Sequence, residues 1–136
     1  MESRPTTILA IDDDPRLCLT ISRWLEVKGN YRAIAVTDGR QGLKLAKREK
    51  PDLILLDLVM PGIDGIEVLK KLNKSAATRY IPVVILTGSP SIETREDAEY
   101  EYAEHYLTKP IDSETLLAKI ESILKRRGVA IPREEG

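Results

Sequence analysis

Leu53-Ile54-Leu55-Leu56-Asp57-Leu58-Val59-Met60-Pro61-Gly62-Ile63-Asp64-Gly65 is the stretch on which the fold turns. Four aliphatic residues in succession, with no alternation of polar and apolar positions, are the pattern of a strand covered on both faces and therefore of a parallel sheet. The run ends on an isolated carboxylate, Asp57, and a Pro-Gly turn follows. Asp64 and Glu67 then stand at the spacing of a capping box, so a helix opens as soon as the turn closes. A buried strand, a short loop and a helix form the repeating unit of an open α/β sheet.

The same order of signals recurs along the chain. Residues 7–11, 31–36, 83–86 and 106–108 are predicted strands beside 53–56, and four of the five are mostly aliphatic. Leu17, Ile21, Trp24 and Leu25 recur at helical period behind Pro15, an early-helix residue, and Gly29 ends that run. Asp38 with Gln41 opens a second helix as Asp64 with Glu67 opens the third, whose buried stripe is Ile66, Leu69 and Leu72. The last helix carries Leu116, Leu117, Ile120, Ile123 and Leu124 on one face, Lys125-Arg126-Arg127 at its negative dipole end and Gly128 as its cap. Strands alternating with helices through right-handed crossovers predict a three-layer, flavodoxin-like α/β fold: a doubly wound sheet of five parallel strands in the order 2-1-3-4-5.

One helical segment differs from the others. Residues 91–102 carry Glu93, Glu96, Asp97, Glu99 and Glu101, with only Ile92, Ala98 and tyrosines to bury. Such a thin stripe suits a solvated surface helix, or an element held loosely enough to shift between two arrangements.

In a parallel sheet the strand ends share an edge, and that edge is where open α/β folds bind ligands. Here it would gather Asp12-Asp13-Asp14, Asp57, Thr87 and Lys109. Carboxylates, a hydroxyl and an ammonium together describe a site for a hard divalent cation and a phosphoryl group. Each residue also has a plainer use. One Asp before Pro15 serves as a helix cap, Asp57 could end a strand as a loop residue, and Thr87 could be an ordinary strand end. Lys109 before Pro110 could be an exposed, extended loop lysine. Three acids in a row exceed what a cap needs, and the coincidence of all four groups favours the site. His105 matches no metal or catalytic spacing and is expected on the surface, while Cys18 is expected in the core.

The motifs IDDD, D-L-V-M-P-G-x-D-G, T-G and Y-L-T-K-P, in that order on those elements, resemble the receiver domain of bacterial two-component response regulators, the fold of the chemotaxis regulator that acts alone. The resemblance covers roughly 6–128. It implies a phosphoacceptor regulatory domain, not an enzyme, that takes part in its own phosphorylation and dephosphorylation. Asp57 would receive a phosphoryl group from a phosphohistidine of a sensor histidine kinase or a histidine phosphotransfer protein. The resemblance assigns Mg²⁺ to Asp13 directly, to Asp12 largely through water, to Asp57 and to the main-chain carbonyl of Val59. Lys109 and Thr87 would contact the phosphoryl oxygens. Thr87 and Tyr106 would then switch the surface formed by the 91–102 helix, the fifth strand and the last helix.

The family pattern is not followed everywhere. Tyr102-Ala103 replaces a usual Gly-Ala, and Ile111 replaces an aromatic residue. Thr115 and Lys119 stand where the DNA-binding branch carries Glu and Arg, so the ionic dimer of that branch is not expected; a phosphorylation-dependent dimer of another kind stays open. Two other readings also stay open: a Mg²⁺-dependent hydrolase with an aspartate nucleophile, and an unphosphorylated pseudo-receiver acting as a docking module. The balance of 21 basic and 22 acidic residues argues for neither a nucleic-acid nor a membrane surface. The single cysteine cannot form an internal disulfide, MESRPTT lacks the apolar core of a secretory signal, and no apolar run is long enough to span a bilayer. The cytoplasm is therefore the expected compartment. The expected receiver unit is 1–128, with 129–136 as a short tail or the start of a linker to an output that the sequence does not name.

Overall fold

The computed structural model describes residues 4–60, 62, 64–88 and 105–132. They form strands β1 (Thr7–Ile11), β2 (Arg32–Val36), β3 (Leu53–Asp57), β4 (Val83–Thr87) and β5 (His105–Thr108), with helices α1 (Pro15–Arg23), α2 (Gly39–Glu49), α3 (Gly65–Lys74) and α4 (Ser113–Arg126). The helix expected at 91–102 and the Tyr102-Ala103 pair lie outside the described residues. All strand pairs are parallel, in the order β2-β1-β3-β4-β5 expected from the sequence.

The strands sort their side chains by alternation. Ile8, Ala10, Leu53, Leu55, Val84 and Leu86 pack on one side of the sheet with Ile21 and Leu25 from the first helical segment and Leu116, Ile120, Ile123 and Leu124 of α4. Leu9, Ile11, Ile54, Leu56, Val83 and Ile85 pack on the other with Leu45 and Ala46 of α2 and Val68, Leu69 and Leu72 of α3. Each fully buried Leu or Ile contributes about 1.5–3 kcal/mol, so this double-sided burial is what holds the strand ends in register.

Helix starts follow the carboxylates. Asp14 accepts hydrogen bonds from the N–H groups of Arg16 (2.9 Å) and Leu17 (3.4 Å), Asp38 from that of Gln41 (3.2 Å), Asp64 from Glu67 (2.9 Å) and Asp112 from Thr115 (2.8 Å). Such caps contribute on the order of 1 kcal/mol each. The last helix ends as a Schellman motif: Gly128 has φ +72°, its N–H bonds the Lys125 carbonyl at 3.1 Å, and the Val129 N–H bonds the Leu124 carbonyl at 2.9 Å. Val129 and Ile131 then lean on the α1–α4 side of the core.

Three local expectations change. The first helix does not stay α-helical to Gly29 but widens into a π-helical turn over Trp24–Lys28, closed by the Gly29 N–H on the Trp24 carbonyl at 3.2 Å. Residue 31 is not in β2, because the Tyr31 N–H bonds the Leu25 carbonyl at 2.9 Å and pins the buried tyrosine to the helix end. His105, expected on the surface, is half-buried as the first residue of β5.

Candidate functional site

β1 delivers Asp12 and Asp13 to the C-terminal edge of the sheet. The Asp12 N–H still reaches across to the Val36 carbonyl at 3.1 Å, and the Asp12 carbonyl accepts from the buried thiol of Cys18 at 3.2 Å. The side chain is fully buried. Its Oδ1 accepts from the Asp14 N–H at 2.9 Å, whereas Oδ2 has no directed hydrogen bond and instead lies 2.8 Å from the Lys109 ammonium as a charge contact. Asp13, beside it, is exposed.

β3 delivers Asp57. Its ladder position opposite Leu86 places it in the middle of the sheet edge, where it is only 4% exposed. Oδ1 accepts from the Val59 N–H at 3.1 Å and Oδ2 lies 3.5 Å from Lys109 Nζ. The loop beyond is held by the Gly65 N–H on the Leu58 carbonyl at 2.9 Å. A Cβ at position 65 would collide with the Asp57 carbonyl oxygen and with Leu58 Cα, so the start of α3 can press against the strand end only as glycine.

The last two strands complete the edge. Thr87 ends β4, is buried, and pairs with Thr108 on β5; its carbonyl accepts from the Lys109 N–H at 2.7 Å. The Lys109–Pro110 peptide is cis. The Lys109 side chain is three-quarters buried between Asp12 and Asp57. Carboxylate oxygens of Asp12, Asp13 and Asp57 lie within 4.8 Å of one another, the acidic cluster suited to a metal ion among the described residues.

The electrostatics follow from this crowding. Burial, against which the Val59 N–H works, and the nearby Asp12 charge push the Asp57 carboxyl up from 3.8 to about 6. Burial opposes the Lys109 charge, but Asp12 and Asp57 outweigh it and hold the ammonium above its ordinary pKa. Because folded Asp57 holds its proton to higher pH than the unfolded chain does, it makes metal-free stability fall as pH rises from about 4 through about 6. Urea midpoints measured across that window without metal should decline with pH; the Asp57→Asn variant should lose this part of the slope.

The structure thus joins Asp12, Asp57 and Lys109 by direct contacts, brings the Asp13 carboxylate within 4.8 Å of the other two, and sets Thr87 beside them through the ladder. Val59 contributes its backbone, its side chain being 75% exposed. Tyr106 is elsewhere: on β5 it pairs with Ile85 of β4 and packs, half-buried, against the α2–α3 side of the core. Two supporting residues carried no advance signal of their role here, Cys18 under the Asp12 carbonyl and Gly65 against Asp57. A separate cavity of about 500 Å³ lies at the opposite edge of the sheet, lined by Arg4, Asp52 and Ile131 among others, and shares no residue with the carboxylate cluster.

Many known proteins resemble this chain in sequence or in fold. The family model described as the response regulator receiver domain matches residues 8–121. Protein PilH of Pseudomonas aeruginosa is 38% identical over 117 residues, which cover 86% of this chain and 96% of PilH. The DNA-binding dual master transcriptional regulator RpaA of Synechocystis is 40% identical over 119 residues, 88% of this chain but only 49% of RpaA, so the chain spans about half of that regulator. The chemotaxis protein CheY4 of Vibrio cholerae superposes with a TM-score of 0.84 at 29% identity, covering 89% of this chain and all of CheY4. A receiver domain protein of Methanospirillum hungatei gives 0.86 at 27% identity, covering 92% and 98% of the two chains. With the family model spanning nearly all of the described sheet, and relatives sharing both its length and its topology, the chain belongs to the response regulator receiver domains of two-component signalling.

Proposed function

We propose that this receiver accepts a phosphoryl group on Asp57 from a phosphohistidine of a sensor histidine kinase or a histidine phosphotransfer protein. The observation that carries the reading is a buried carboxylate at the sheet edge with the Asp12 and Asp13 carboxylates on one side and the Lys109 ammonium on the other. An Asp57 carboxylate oxygen attacks phosphorus, the P–N bond breaks, and its electron pair stays with the departing imidazole. The product is an acyl phosphate, which water later hydrolyses to restore the carboxylate. Lys109, already 3.5 Å from Asp57, places a fixed positive charge beside the phosphoryl oxygens, and the Thr87 hydroxyl supplies a hydrogen bond.

The residues fit a small divalent cation. Asp12 Oδ2 is buried without a directed hydrogen bond, and the neighbouring carboxylates leave negative charge that Lys109 alone does not balance. Asp12, Asp13, Asp57 and the Val59 carbonyl would hold Mg²⁺, which when bound screens the repulsion between Asp57 and an incoming phosphoryl anion. Signal output would follow from Thr87 moving toward the phosphoryl group and Tyr106 turning inward behind it. This changes the surface around the 91–102 segment, β5 and α4. The proposed unit is 1–128, with 129–136 as a tail or linker, working in the cytoplasm; among the described residues no helix is long and apolar enough to cross a membrane.

Two measurements test this. Acetyl phosphate should add one phosphoryl group to the intact mass with Mg²⁺ present and none with a chelator; labelling that ignores the chelator contradicts the metal assignment. Asp13→Asn should weaken Mg²⁺ binding in calorimetry by about tenfold or more, roughly 1.4 kcal/mol. Asp14→Asn should barely matter, since Asp14 is spent on capping α1. Equal losses at both positions would place the ligand one residue off.

A further inference from the structure

The near-neutral total charge conceals a separation of charge. α2 and α3 lie side by side over one face of the sheet, and the outward positions of their later turns are Lys44, Lys47 and Arg48 on one and Lys71 and Lys74 on the other, all exposed. Acids on this surface sit mostly at the helix starts, where Asp38 and Asp64 are caps. Glu49, the acid among the late turns, lies 3.6 Å from Arg32 and 3.5 Å from Arg48. Lys47 and Arg48 in the last turn of α2, and Lys71 and Lys74 in the last turn of α3, also offset the negative dipole ends, and together with Lys44 they concentrate positive charge on this surface. In the sequence, by contrast, Glu93, Glu96, Asp97, Glu99, Glu101 and Glu104 stand against Arg95 alone.

The basic surface lacks an apolar anchor. Among the described residues, the exposed large hydrophobic ones, Leu19, Val27, Val59 and Tyr80, all lie off α2 and α3. A bilayer partner needs an apolar face to insert, and single-stranded nucleic acid needs aromatic stacking. At a net charge of −1 the whole molecule exerts no long-range pull on a polyanion, whereas a second copy approaches without net repulsion to speak of and brings its own acidic run. We infer that the α2–α3 surface docks the acidic 93–104 segment of a second copy, head to tail. Because the two surfaces differ, the contact is heterologous and can extend past two copies. Exposed ion pairs are individually weak and are screened by salt, so the association is concentration-dependent and disappears at high ionic strength.

Sedimentation velocity on the full chain tests this. The sedimentation coefficient should rise with protein concentration at about 20 mM salt, where charges act over roughly 20 Å, and stay at the monomer value at about 0.5 M. Lys47→Glu with Lys74→Glu should abolish the rise, as should Glu96→Lys with Glu99→Lys. Mixing the two double variants should restore it, since each then carries the complement of the other. A wild-type chain that stays monomeric at low salt overturns the proposal without recourse to any variant. So does association that either double variant retains, or that mixing fails to restore. Binding of the monomer to an anionic vesicle or a DNA duplex, without self-association, would overturn it in favour of that partner.

Discussion

Asp57→Asn is expected to take up no phosphoryl group from acetyl phosphate and, in the absence of metal, to resist urea better than the native chain at pH 7. The two effects share one cause. The site is built around a carboxylate that pays a desolvation penalty: burial and the Asp12 charge raise its pKa to about 6, so at neutral pH the fold holds an anion it would rather protonate. An amide keeps the acceptor for the Val59 N–H, loses the attraction of Lys109, and removes the buried charge. The net gain is about 1–3 kcal/mol, from a shift of roughly two pKa units at about 1.4 kcal/mol each. An amide is also a poor nucleophile, so the more stable protein should be chemically inert. Urea denaturation and intact-mass measurement on the same preparation check both halves. Undiminished labelling removes Asp57 as the acceptor, and a clear loss of stability means that the Lys109 attraction outweighs the desolvation.

Gly65→Ala is expected to cost roughly 3 kcal/mol and to disturb Asp57 at the same time, since an added methyl must push against main-chain atoms that cannot rotate away. Its neighbours are the Asp57 carbonyl and Leu58 Cα, so the relief has to come from moving either the end of β3 or the start of α3. The Gly65 N–H bond to the Leu58 carbonyl would be strained by both routes. Gly88→Ala is the control: a Cβ there meets nothing within 4 Å among the described residues, and the cost should stay within about 0.5 kcal/mol. Thermal or urea midpoints give the stabilities, and magnesium titration reports on the site. An alanine at 65 as harmless as one at 88 would mean that the loop beyond Asp57 yields freely.

Most of the sheet could be read in advance because its signals are local. The runs Leu53-Ile54-Leu55-Leu56 and Val83-Val84-Ile85-Leu86 are aliphatic on both faces, and the caps Asp14, Asp38 and Asp64 announce the helices that separate them. Parallel order then brings the strand ends together without further assumption, which is why the contacts of Asp12, Asp57 and Lys109 follow from topology. Features that depend on a partner far along the chain were not legible. The π-helical turn at Trp24–Lys28 leaves the apolar spacing of Leu17, Ile21 and Leu25 looking like an ordinary helix. Tyr31 has the composition of a strand start, and only the Leu25 carbonyl takes it out of β2. Gly65 looks like a residue of the turn into α3, yet its necessity comes from backbone seven to eight residues earlier. The thiol contact of Cys18 with the Asp12 carbonyl is likewise a product of how α1 packs over β1.

The acceptor itself can be located chemically. Brief exposure to acetyl phosphate and Mg²⁺ followed by borohydride reduces an aspartyl phosphate to the alcohol, leaving homoserine at the position that held the phosphoryl group. Tandem mass spectrometry of the peptide containing residues 53–60 should find homoserine in place of Asp57, and only after treatment with both donor and metal. Homoserine at Asp12 or Asp13 instead, or a phosphoryl group on Thr87 that survives the reduction, would contradict the assignment of this site.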